Sequence, residues 1–173
     1  MRRWLAPDYY TESVLLLEPS FLRQLADVVV LDLDNTLVPR DVERIDPQHG
    51  AWVQSLLDAG LDVVIVSNNW RGRVEKALEG LDGLRILAPA GKPLLKNLKK
   101  ALSEGGHRVE RAILIGDQVF TDIMGARRLG LTTILVKPLS GYDLPHTRVL
   151  RLIEKRLLSQ WLASGRSVHL GAR

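Results

Sequence analysis

The chain of 173 residues contains no cysteine, so it forms neither disulfides nor thiolate-bound metal centres. It has no long hydrophobic run: the apolar stretch from Val28 to Leu33 is broken by Asp32, far short of the ~20 residues that cross a bilayer. The opening Met1-Arg2-Arg3-Trp4-Leu5-Ala6-Pro7-Asp8 is basic, but Pro7 and Asp8 interrupt the apolar core that a signal peptide requires. A cytoplasmic location is therefore the expectation. Internal repeats, low-complexity tracts and linker-like stretches are all missing. His49, His107, His146 and His169 lack metal-ligand spacing. No nucleic-acid-binding motif accompanies the net charge of +4, so nucleic acid is not an expected partner. The mild basic excess favours anionic ligands in general.

What is present is an ordinary globular composition, with 46% hydrophobic and 25% charged residues. A chain of this size suits one domain over 1–173, with terminal segments 1–26 and 146–173 packing on or flanking it, and buries roughly 70% of its unfolded surface. Five short apolar runs recur: Val28–Leu33, Leu61–Ser67, Leu84–Leu87, Ala112–Ile115 and Thr132–Val136. Their hydrophobicity is continuous rather than alternating, which predicts strands covered on both faces. Between them lie segments of helical period: one opened by Pro47 and stopped by Gly60, then Arg71–Leu78, Pro93–Leu102, and Phe120–Leu129 with Gly130 as its stop. With right-handed crossovers this alternation gives an α/β fold, a three-layer α/β/α Rossmann-like parallel sheet. Ligands of such sheets bind beyond the carboxyl ends of the strands. The polar residues that end the apolar runs should then meet at one edge.

Those residues are Asp32 and Asp34 after the first run, Ser67-Asn68-Asn69 after the second, and Gly116-Asp117 after the fourth. At a rise of about 3.4 Å per residue, the carboxylates of Asp32-Leu33-Asp34 lie on one side about 7 Å apart. One could attack phosphorus while the other donates a proton to the leaving group. The simpler alternative is that Asp34-Asn35 forms a turn; a charge late in an apolar run, at Asp32, is costly enough to favour a role. Ser67 and the N–H groups after it offer neutral donors to phosphate oxygens, although Ser-Asn-Asn is also a common turn. Lys92, between Gly91 and Pro93, falls at an expected helix start, where the helix dipole disfavours a cation unless an anion is near. Asp117 and Asp122 add carboxylates in Gly116-Asp117-Gln118-Val119-Phe120-Thr121-Asp122. A helix N-cap at Asp117 and a favourable first-turn acid at Asp122 would explain each singly. Together the hard oxygens suit Mg²⁺, which is held by one or two carboxylates plus substrate phosphate.

This ordered set resembles the haloacid dehalogenase superfamily. Asp32-Leu33-Asp34-Asn35-Thr36-Leu37 is similar to its first motif, Ser67 to its second, Lys92 to its third, and Gly116-Asp117 through Asp122 to its acidic fourth. Asn35 replaces the glycine common in the first motif, as in the minimally capped subclass. With the opening Pro7-Asp8, Ser67-Asn68-Asn69 and Lys92-Pro93, the set resembles the YqeG-type phosphatases, themselves similar to phosphatidylglycerophosphate phosphatases. The resemblance implies a HAD-like fold and hydrolysis of a phosphomonoester through an aspartyl-phosphate. It implies Asp32 as nucleophile, Asp34 as general acid and base, and Ser67, Asn68 and Lys92 as phosphate binders. The implied Mg²⁺ shell is Asp32, Asp34 through its backbone carbonyl, Asp117, and Asp122 through water.

Only Asn35 to Val66 separates the first two motifs, and the Pro47 helix uses part of it. A minimal cap and an open site follow, suited to a large or surface-borne substrate such as a phospholipid headgroup, or to cover by a second copy in a homo-oligomer. A terminal helix expected over Arg148–Leu162 lines up Val149, Leu150, Ile153, Leu157 and Trp161, with Arg148, Arg151, Lys155 and Arg156 elsewhere. Core packing is the simple reading, and peripheral membrane contact the other. Tyr9, Tyr10 and Leu15-Leu16-Leu17 are read the same way. Two other functional classes share these residues: a receiver-like phosphoacceptor domain, against which Asp34 argues, and a catalytically silent binding or scaffolding protein.

Overall fold

A computed structural model describes residues 5–140, 154, 156–165 and 168–170. Its strands are β1 (Tyr9–Thr11), β2 (Val28–Asp32), β3 (Asp62–Val66), β4 (Arg85–Leu87), β5 (Ala112–Gly116), β6 (Thr132–Val136) and β7 (Val168–His169). They form one seven-stranded sheet in the order β4-β3-β2-β5-β6-β1-β7, with every neighbouring pair parallel. The five contiguous strands β4-β3-β2-β5-β6 coincide with the five apolar runs. β2 and β5 are buried along their whole length, as strands covered on both faces must be.

Helices α1 (Pro19–Leu25), α2 (Pro47–Asp58) and α3 (Arg71–Ala77) pack on one face, where Leu22, Trp52, Val53, Leu56 and Val74 meet Val29, Leu31, Val63 and Ile65. Helices α4 (Lys96–Glu104) and α5 (Met124–Leu129) cover the other, where Leu98, Leu102 and Ala126 meet Val28, Val30, Val64 and Leu114. Alternate residues of one strand thus feed opposite layers. Each fully buried Val or Leu contributes about 1.5–3 kcal/mol on transfer from water. The helix stops are those expected: Gly60 and Gly130 follow α2 and α5 with φ of 76° and 94°. Asp46 caps α2, its carboxylate accepting from the amides of Gln48 (2.9 Å) and His49 (3.1 Å), with Pro47 at the first helical position.

Three expectations change. Tyr9 and Tyr10 pack against the core, as the simple reading has it, but they do so within β1, an unexpected strand inserted between β6 and β7. Asp8 anchors that strand, accepting from the Thr133 amide at 2.9 Å and pairing with Arg127. The helix expected from Pro93 begins only at Lys96, because Leu95 adopts a left-handed backbone (φ 46°) and 91–95 close a turn onto the Gly91 carbonyl. Lys92 is therefore in a loop, four residues before α4. The segment expected from Phe120 starts as a single wide turn, a π-helix over Val119–Ile123, before α5.

Of the expected terminal helix, 148–153 and 155 lie outside the described residues. Residues 156–163 are helical, and there Trp161 is buried in a cluster with Ala6, Val119 and Ile123, against which Leu157 packs. That is the core-packing reading. Among the described residues no helix is long and apolar enough to cross a membrane.

Candidate active site

The strand order runs β2-β3-β4 in one direction and β5-β6 in the other, so the sheet changes direction between β2 and β5. At such a point the loops leaving the two strands diverge to opposite faces and open a crevice. Asp32 is the last residue of β2, and Asp117 follows the last residue of β5. A cleft of about 220 Å³ lies there, lined by Asp32, Asp34, Arg40, Asn68, Asn69, Lys92, Asp117, Gln118, Thr121 and Asp122.

Its floor is a buried charge cluster. Asp32, Asp117 and Asp122 are each at most 3% exposed, and each offers an oxygen within 4.8 Å of the others. The Lys92 ammonium enters between them, pairing with Asp32 and, at 2.9 Å, with Asp122. The second Asp32 oxygen accepts from the Thr36 hydroxyl at 3.0 Å. Burial pushes the Asp32 carboxyl well above the ordinary aspartate range, with Asp122 and Asp117 adding to the rise and Lys92 opposing it. Burial alone would depress Lys92, but the Asp122 and Asp32 charges outweigh it and raise its pKa. Three acids against one ammonium leave the floor short of positive charge. Hard oxygen donors so placed fit a divalent cation such as Mg²⁺, and the side chain of Asp34 is not among them.

Backbone details build this floor. Asn68 and Lys92 exchange reciprocal bonds, the Lys92 amide donating to Asn68 Oδ1 (2.8 Å) and Asn68 Nδ2 to the Lys92 carbonyl (3.2 Å). Asp122 turns back so that its Oδ2 accepts from the Gln118 amide at 3.1 Å. A Cβ on Gly116 would meet Asp122 at 2.7 Å, so only glycine ends β5 there. Asp117 is not the N-cap of the π-helix, whose cap position is Gln118, whereas Asp122 does lie in its first turn. Glu154 satisfies that turn instead, its Oε1 accepting from the Val119 amide at 2.9 Å.

One wall is different in character. Asp34 accepts from Asn69 Nδ2 (2.7 Å), Ser67 Oγ (3.2 Å) and Arg73 Nη2 (3.3 Å). Ser67 is fully buried and does not line the cleft. Its hydroxyl donates to Asp34 and accepts from the Asn69 amide at 3.1 Å. In this structure the Ser67 hydroxyl is therefore engaged with Asp34 and the Asn69 amide. Asn68 lines the cleft, but its side-chain amide holds the Lys92 backbone. Asn35 has φ 63°, in the left-handed region that glycine and asparagine tolerate best, which accounts for either residue at this position. Asn69, Arg73, Thr36 and Glu154 escaped the sequence reading. Asn69, adjacent to Ser67-Asn68, and Thr36, inside the Asp32–Leu37 motif, carried a signal there.

Comparisons with known proteins agree with this geometry. A family model described as HAD-hydrolase-like matches residues 89–141. The probable phosphatase YqeG of Bacillus subtilis (strain 168) is 34% identical over 160 residues, which cover 92% of each chain. Phosphatidylglycerophosphate phosphatase 1, chloroplastic/mitochondrial, of Arabidopsis thaliana is 32% identical over 147 residues, covering 79% of this chain and 42% of the plant protein. Among solved structures, 3-deoxy-D-manno-octulosonate 8-phosphate phosphatase from Moraxella catarrhalis, in complex with magnesium and phosphate ions, superposes with a TM-score of 0.52 at 16% identity. That match covers 84% of this chain and 97% of the other. NagD from E. coli K-12 gives 0.51 at 16% identity, over 70% and 91%; both likenesses concern the fold alone. The parallel sheet, the ordered acidic and basic residues at its edge, and the full-length likeness to YqeG establish that this chain belongs to the YqeG-type phosphatases of the haloacid dehalogenase superfamily.

Proposed function

We propose that the chain hydrolyses a phosphomonoester by passing the phosphoryl group through Asp32. A carboxylate oxygen of Asp32 attacks phosphorus, the ester P–O bond breaks, and the departing alcohol takes a proton from Asp34. Asp34, now a base, takes a proton from water that attacks phosphorus; the acyl-phosphate bond breaks, and inorganic phosphate leaves with Asp32 regenerated. Lys92 pairs with Asp32, favouring its charged form against the effect of burial, and faces the transferring oxygens, while Asn68 holds the Lys92 backbone in place. Ser67 and Asn69 orient the Asp34 carboxylate toward the cleft. Asp32, Asp117, Asp122 and the Asp34 backbone carbonyl would hold Mg²⁺, Asp122 through water. The ion would supply the missing positive charge around the phosphate.

The observation that carries this reading is the pairing of one buried, lysine-bound aspartate with a second, hydrogen-bonded aspartate along a single cleft. Asp34 also distinguishes the chain from a receiver-like phosphoacceptor, which has no use for a base two residues after its phosphorylated aspartate. The plant relative's name and the openness of the cleft make phosphatidylglycerophosphate the substrate we put forward, which would bring the chain to a membrane surface. All 173 residues are read as one domain. Replacing Asp32 by Asn should lower Mg²⁺-dependent hydrolysis of an aryl phosphate by about 10³-fold or more. Undiminished turnover by that variant would refute the assignment.

A further inference from the structure

We propose that Arg40 determines specificity, receiving a second anionic group carried by the alcohol portion of the substrate; the assignment rests on the phosphatase reading above. Two cations line the cleft, Lys92 and Arg40. Lys92 is committed to Asp32 and Asp122. Arg40 has no acidic partner among the described residues, and its Nε is buried without a hydrogen-bond partner. The nearby Arg73 guanidinium is already bound to Asp34.

The Arg40 backbone is anchored on both sides. Its amide donates to Asn35 Oδ1 at 3.3 Å, and its carbonyl accepts from Arg73 Nη2 at 3.4 Å. That same nitrogen reaches Asp34 Oδ1 at 3.3 Å, so Arg40 is tethered directly beside Asp34. A guanidinium offers a planar fork of donors that matches phosphate oxygens, and leaving a buried donor unmatched is costly. Asp34 must face the departing oxygen, whereas Lys92 faces the transferring phosphate on the cleft floor. A second charge a few bonds along the alcohol therefore falls on the Arg40 side. The substrate class is a phosphomonoester whose alcohol bears a further phosphate or phosphodiester.

The test compares glycerol 1-phosphate, glycerol 1,3-bisphosphate and a short-chain phosphatidylglycerophosphate on the wild-type chain, Arg40→Gln and Arg40→Lys, each in Mg²⁺. Arg40→Gln should lower kcat/KM for at least one doubly anionic probe about ten-fold more than for glycerol 1-phosphate, mainly through KM, with Arg40→Lys intermediate. The more affected probe tells whether the second anion belongs to a lipid headgroup or a soluble bisphosphate. An equal change on all three probes, or none, overturns the assignment. Binding of the same probes to Asp32→Asn, with and without Arg40→Gln, is measured by calorimetry. If the wild type turns over none of them the phosphatase reading fails, and Arg40 is then judged by whether its replacement selectively weakens the doubly anionic probes.

Discussion

Asp32 and Asp34 stand two residues apart, yet their surroundings have little in common. Asp32 is sealed at the end of β2 among two other acids and one lysine, where its ionisation depends on a balance of buried charges. Asp34 lies beyond the strand on the cleft wall, held by an amide, a hydroxyl and a guanidinium. The difference teaches that placement, not residue type, assigns the two chemical roles: a carboxylate buried beside an ammonium and two further acids suits attack, and one on the cleft wall, held by an amide, a hydroxyl and a guanidinium, suits exchange of a proton.

Variants can break that comparison. Asp34→Asn should slow turnover by about 10²–10⁴-fold; with an aryl phosphate, whose phenolate departs without a proton from Asp34, a burst of phenol followed by stalled phosphate release is expected in rapid-quench kinetics. Equal loss of burst and steady state would merge the two roles. Lys92→Met removes the only ammonium bonded to Asp32 and Asp122 among the described residues. It should cost about 3–5 kcal/mol of stability without divalent cations, with part recovered when Mg²⁺ is added, as read by denaturant melts in both conditions. A loss that Mg²⁺ does not relieve would show that the floor does not hold the ion.

Gly116→Ala displaces Asp122 and leaves the Asp34 wall untouched. We expect about 1–3 kcal/mol of destabilisation together with weaker Mg²⁺ binding by titration calorimetry; unchanged affinity would remove Asp122 from the metal's surroundings. Asp46→Ala deletes the α2 cap, away from the cleft, and should cost about 1 kcal/mol with the activity profile unchanged. That variant calibrates how far stability alone moves the other measurements.

The centre of the fold was legible in the sequence because strands buried on both faces leave continuous apolar runs, as in Val28–Leu33 and Ala112–Ile115. The edges were not. β1 has three residues and β7 two, too short for any period, and β1 is defined by pairing with Ile134–Val136, far along the chain. The acids and Lys92 were readable as polar interruptions at strand ends. What Ser67 and Asn68 actually touch was not, since each is decided by a loop closure: Ser67 against Asp34, Asn68 against the Lys92 backbone. Arg73 sits within α3, where an arginine looks like any exposed helix residue until the fold brings it to Asp34.

The most direct measurement is the site of phosphate attachment. Asp34→Asn, mixed with substrate and Mg²⁺ and quenched in acid, should yield a phosphorylated peptide whose fragmentation places the label on Asp32. A label on Asp117 or Asp122, or none under conditions where alcohol has been released, would contradict it.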